Sequence, residues 1–153
     1  MLAEAEISIG YYRGPVEDVL TGIDRAALRG AVLEIEAFDS AELYELVEAR
    51  TANRPDLAEE NRQVRYGKFR IGPIKFGPLA LVLPVEAQNV AELLALVKSN
   101  VVAVLELNVR AEDRYLVMAP DVGDNEIWVS RDLPADSVAA LRNALGSGLR
   151  PVE

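Results

Sequence analysis

Residues 101–130, VVAVLELNVRAEDRYLVMAPDVGDNEIWVS, decide the fold class. Val101–Arg110, Arg114–Ala119 and Glu126–Ser130 read as strands, separated by short polar connections. Strands joined so closely pair as antiparallel hairpins, because a parallel pair needs a long crossover. The oxygen-rich run Asp121-Val122-Gly123-Asp124-Asn125-Glu126 lacks the spacing of a calcium loop and reads as a turn.

Working outward, Asn89 stands before Val90, Leu93, Leu94 and Val97, the cleanest helical stripe in the chain, with Glu92 in the reciprocal capping position. Leu79–Val85 is apolar on both faces, which predicts a central strand. Val64–Ile71 reads as another strand, followed by a Gly/Pro-rich turn from Gly72 to Pro78. Pro55 starts a short helix through about Asn61. Asp39 and Glu42 have capping-box spacing ahead of Leu43, Leu46 and Val47. Ala31–Phe38 and Ala5–Tyr12 alternate with period two, as strands do. Between them Pro15 opens one helix or two, with Val16, Val19, Leu20 and Ile23 inward and Gly22 as a weak point. After residue 130, Arg131-Asp132-Leu133-Pro134 leads into a helix lined by Val138, Leu141 and Leu145 and closed by Gly146.

Hairpins interspersed with helices predict an α+β fold: a single layered domain over residues 1–146, with a mixed, mostly antiparallel sheet and helices packed on it. Residues 147–153 read as a flexible tail. The first β-α-β is suited to a parallel crossover. From residue 40 on, the element order resembles that of roadblock/longin domains. It also resembles type III secretion chaperones and YbjN-like proteins, where a segment like Arg131–Pro134 precedes the last helix.

The 153 residues are 50% hydrophobic and 27% charged, enough for a packed core. Cysteine and histidine are both absent, which removes disulfides, thiolate chemistry, the usual neutral-pH base and the commonest metal ligand. No metal site and no cofactor is expected. Met1–Glu6 has neither the basic nor the apolar region of a signal peptide, and no apolar run is long enough for a membrane span. The expectation is a cytoplasmic protein with a composition of prokaryotic type.

The net charge of −9 is unevenly spread. No acidic residue occurs between Asn61 and Val85, where Arg62, Arg65, Lys68, Arg70 and Lys75 interleave with Tyr66, Phe69 and Phe76. On a strand, Tyr66, Lys68 and Arg70 share one face. Trp128 alternates with Ile127 and Val129, so it faces outward if they face the core. Arg and aromatic residues are favoured at interface hot spots. The negative remainder argues against nucleic acid as a partner. Glu34 and Glu36 share a strand face but read as a solvated row, and no serine has a histidine partner.

The expected function is therefore a non-catalytic protein–protein interaction module of adaptor, chaperone-like or immunity type. Its contacts would be Arg65, Tyr66, Lys68, Arg70, Lys75 and Trp128, and its partner another protein, including a second copy. The alternatives are a small-molecule-sensing regulatory domain closed by the Gly72–Gly77 segment, or a His- and Cys-independent enzyme acting on an anionic substrate.

Overall fold

The computed structural model describes residues 2–38, 40–63, 69–71, 74–76 and 79–152, with backbone alone for 69–71 and 74–76. The order is β1 (Ile7–Arg13), α1 (Val16–Arg25), β2 (Val32–Ala37), α2 (Ala41–Arg50), α3 (Pro55–Gln63), β3 (Phe69–Ile71), β4 (Ile74–Phe76), β5 (Leu79–Pro84), α4 (Ala87–Lys98), β6 (Val104–Ala111), β7 (Arg114–Ala119), β8 (Asp124–Val129), α5 (Ala135–Leu145) and β9 (Leu149–Arg150). A seven-stranded open sheet runs β5-β2-β6-β7-β8-β1-β9 with antiparallel neighbours, and β3 and β4 form a separate antiparallel pair. The α+β layered fold is as the hairpin pattern predicts. β1 and β2 point the same way but lie apart, with β6, β7 and β8 between them.

One sheet face is the core. Leu33, Ile35, Leu81, Leu83, Leu107, Val109, Val117, Ile127 and Val129 are buried there with the apolar stripes of α1, α2, α4 and α5. α1 is a single helix, and Gly22 is its contact with α5: a Cβ there would sit 3.2 Å from Leu141 and 3.3 Å from Ala144. At the end of β1 the Tyr12 ring is buried, its hydroxyl donating to the Pro15 carbonyl at 2.8 Å. Gly14 and Gly148 press on that ring, leaving no room for a Cβ at either position.

Several elements depart from the sequence expectations. β5 is an edge strand, not a central one. It is apolar on both faces because helices flank both: α2 on the core side, and α3 on the other, where Leu57 packs on Val32 and Val82. Its outer edge is closed by a side chain. Asn61 Nδ2 donates to the Val82 carbonyl at 3.0 Å, and Val82 N–H donates to Asn61 Oδ1 at 2.7 Å, as a neighbouring strand would. The predicted Gly72–Pro78 turn contains β4, hydrogen-bonded to β3.

The caps shift as well. Ser40 caps α2, accepting from Leu43 N–H at 3.2 Å, and Asp39 lies outside the described residues. α4 already starts at Ala87; Asn89 is buried and donates to the Pro84 carbonyl at 3.0 Å, while Glu92 pairs with Arg50. In the predicted tail, Leu149–Arg150 forms β9 against Tyr11 and Tyr12, because Leu149 has a core position to fill. β6 begins at Val104 rather than Val101, and β8 at Asp124 rather than Glu126.

Candidate functional site

The face of the sheet opposite the core carries the site. Directly paired residues share a face, so Val82, Glu34, Asn108, Met118, Trp128 and Ser8 form one row across β5, β2, β6, β7, β8 and β1. Among the described helices only α3 covers this face, and only at the β5–β2 end. Trp128 and Met118 are partly exposed, while Ile127 and Val129 are buried. The expected outward turn of Trp128 follows from that alternation.

Next to the apolar pair lies a groove of about 480 Å³ lined by Glu4, Glu34, Glu36, Glu60, Glu106 and Asn108, with Tyr115 and Met118 at its side. Glu34 is not a solvated carboxylate. It accepts from Tyr115 Oη at 3.0 Å and from Arg110 at 2.6 Å, and Arg110 also reaches Glu60 at 2.6 Å. The Arg110 and Glu34 side chains are only 19% and 23% exposed. Burial works to lower the Arg110 pKa, but the Glu60 hydrogen bond and the Glu34 and Glu60 charges outweigh it and raise it. Burial first, and then the neighbouring Glu34 charge, push the Tyr115 hydroxyl up to about 12.

Asn108 is 7% exposed, and its Nδ2 donates to Glu106 Oε2 at 3.2 Å. Its Oδ1 is buried and accepts nothing from the described residues. No family model, curated protein or solved structure matches this chain.

Of the residues singled out in the sequence, Trp128 lies in this row. Arg65, Tyr66 and Lys68 lie outside the described residues, as do Gly72, Pro73 and Gly77 of the segment expected to close a pocket. Arg70 and Lys75 are register partners on β3 and β4. Arg62, also part of the basic stretch, is paired with Glu59 and so is neutralised within its own helix. In the run Asp121–Glu126 the turn takes up Asp121–Gly123, with Gly123 at φ 99° and Asn125 bonded to Asp121, while Asp124–Glu126 already belong to β8. Among the described residues no three acidic side chains are grouped to hold a metal ion, and no described helix is long and apolar enough to cross a membrane. Asn108, Arg110 and Tyr115 carried no signal in the sequence, because their grouping depends on which strands become neighbours.

Proposed function

We propose that this chain is a non-catalytic protein-interaction module, acting in the cytoplasm, whose docking surface is the acidic second face of the sheet. One observation carries the proposal: the Met118–Trp128 pair sits side by side on the face away from the core, in a row with Glu34 and beside a carboxylate-lined groove. An aromatic anchor within a charged surround is a common hot-spot composition, and the charge adds steering. The partner this surface favours is a protein segment with cationic and apolar side chains. Arg65, Tyr66, Lys68, Arg70 and Lys75 are a second proposed contact, for an anionic partner segment. A second copy of the chain offers both signs.

Trp128 is the only tryptophan, so its emission reports on this face without a label. Titration with a hexa-arginine peptide should change that emission saturably, and the change should shrink as salt rises. Hexa-glutamate should leave it alone. An emission that ignores hexa-arginine at low salt rejects the surface. For the basic strip, Lys68→Glu with Arg70→Glu should weaken capture of hexa-glutamate in a salt-dependent way, and unchanged capture rejects it.

A further inference from the structure

We infer that the segment following α5 is an exchangeable arm, and that two copies of this chain dimerise by laying Leu149–Arg150 of each on β1 of the other. The inference goes beyond the docking face and uses a different part of the molecule, the outer edge of β1.

β9 docks in a slot shaped to it. Leu149 is 9% exposed and fills a core position, while Leu149 and Arg150 pair with Tyr12 and Tyr11. Two glycines let the backbones meet. A Cβ on Gly10 would stand 2.2 Å from the Arg150 carbonyl oxygen, and one on Gly148 would stand 2.7 Å from that of Arg13. The slot therefore specifies this segment, and a second copy carries the same one. The link to the body is Gly146-Ser147-Gly148. Gly146 holds φ 58° and its Cβ position has no atom within 4 Å, so neither a side chain nor a neighbour resists a change of its dihedrals. Extended, three residues reach about 10 Å, enough to pass the arm from its own β1 to one lying alongside.

The edge is unfinished when the arm folds back on its own chain. β9 covers Tyr11 and Tyr12, and among the described residues no strand lies beside Ile7–Ile9 on that side. Among the described residues five large apolar side chains are exposed, and three of them, Ile7, Tyr11 and Val152, belong to β1 or follow β9. An open strand edge beside exposed apolar groups is a surface that another chain covers. Exchange keeps every β9 contact in kind. It also brings the two β1 edges within a link's length of each other, which shields Ile7 and Val152 in both copies.

The chain has no cysteine, so introduced bridges report exchange directly. Tyr11 and Arg150 are exposed register partners, and antiparallel partners stand about 4.5–5.5 Å apart at Cα, within disulfide reach. Equal amounts of Tyr11→Cys and Arg150→Cys chains are mixed, equilibrated and oxidised with glutathione, and the linked dimers are mapped by mass spectrometry. Bridges from position 11 of one chain to position 150 of the other should outnumber like-with-like bridges several-fold. Parity, which chance collision gives, overturns the inference. In sedimentation the unmodified chain should show a dimer that grows with concentration, and a monomer up to millimolar concentration overturns it as well. Deleting Ser147 should favour the dimer about tenfold or more, and a glycine-rich insertion after Ser147 should favour the monomer, because a short link obstructs docking on the same chain. A dimer indifferent to link length overturns the exchange. The response of Trp128 to hexa-arginine decides the docking face separately, so either reading can fall without the other.

Discussion

Replacing Asn61 by leucine tests how the edge of the sheet is held. Both partners of the Asn61–Val82 contact are 2% exposed, and its bonds are 2.7 and 3.0 Å long. Leucine has a similar size, so little cavity forms. The backbone N–H and C=O of Val82, however, lose their partner in a site where water does not replace it. Two net hydrogen bonds are worth about 1 kcal/mol each, and each group left buried without a partner adds roughly 1–3 kcal/mol. The apolar gain of leucine beside Leu57 offsets part of this. The expected loss is about 3 kcal/mol, which for a chain of this size lowers the melting temperature by roughly 6–12 °C. Urea unfolding followed by circular dichroism gives the stability, and hydrogen exchange gives the Val82 amide directly. In Asn61→Leu that amide should exchange by local opening, well ahead of global unfolding. Leu57→Ala, on the same helix, should lower global stability while leaving the Val82 amide among the slow ones. A loss under about 0.5 kcal/mol in Asn61→Leu, or a Val82 amide as protected as before, would refute the idea that a side chain substitutes for a strand here.

Gly148→Ala places a Cβ 2.7 Å from the Arg13 carbonyl oxygen and 2.9 Å from the Tyr12 ring, so it should cost about 1–3 kcal/mol in a thermal melt. Arg110→Met removes the cation shared by Glu34 and Glu60 at a half-buried site and should cost roughly 1–2 kcal/mol in urea; Arg110→Lys should recover only part, since one ammonium does not fork between both carboxylates. The folded-state pKa of Tyr115, about 12, lies above its ordinary value of 10.0, so the folded chain holds that proton longer than the unfolded one. Its contribution is complete below pH 10 and is lost between pH 10 and 12, so alkaline unfolding should begin in that window and be less steep in Tyr115→Phe. Ultraviolet titration should also show Tyr12 ionising late, because burial raises it further.

Where local pattern and tertiary role coincide, the fold was legible in the residues. β2 alternates, its Leu33 and Ile35 facing the core and Glu34 and Glu36 facing away. Ile127 and Val129 predicted the outward face of Trp128 in the same manner. The failures share a different cause. Leu79–Pro84 is apolar on both sides whether it is central or an edge flanked by helices, and periodicity does not separate the two. Asn61 reads as an ordinary polar residue near a helix end until a strand edge is laid beside it. The cap of α2 slipped by one residue because Asp39 and Ser40, both cap formers, stand in succession; at α4 the helix starts ahead of Asn89, whose side chain bonds the Pro84 carbonyl instead. Asn108, Arg110, Tyr115 and Glu34 converge only through the β2–β6–β7 register, and nothing local encodes that order.

The placement of β1 has a consequence for synthesis. Its ladder partners are β8, which ends at Val129, and β9, the last strand of the chain. On the ribosome, Ile7, Ile9 and Tyr12 therefore wait while some 120 further residues emerge, about 6–25 s at ordinary elongation rates. For that interval an apolar strand that has already emerged has neither neighbour. Slowed elongation should prolong its exposure to chaperones and to other nascent chains, while a polar replacement at Ile9 should shorten chaperone occupancy but leave the finished protein with a defect in its core.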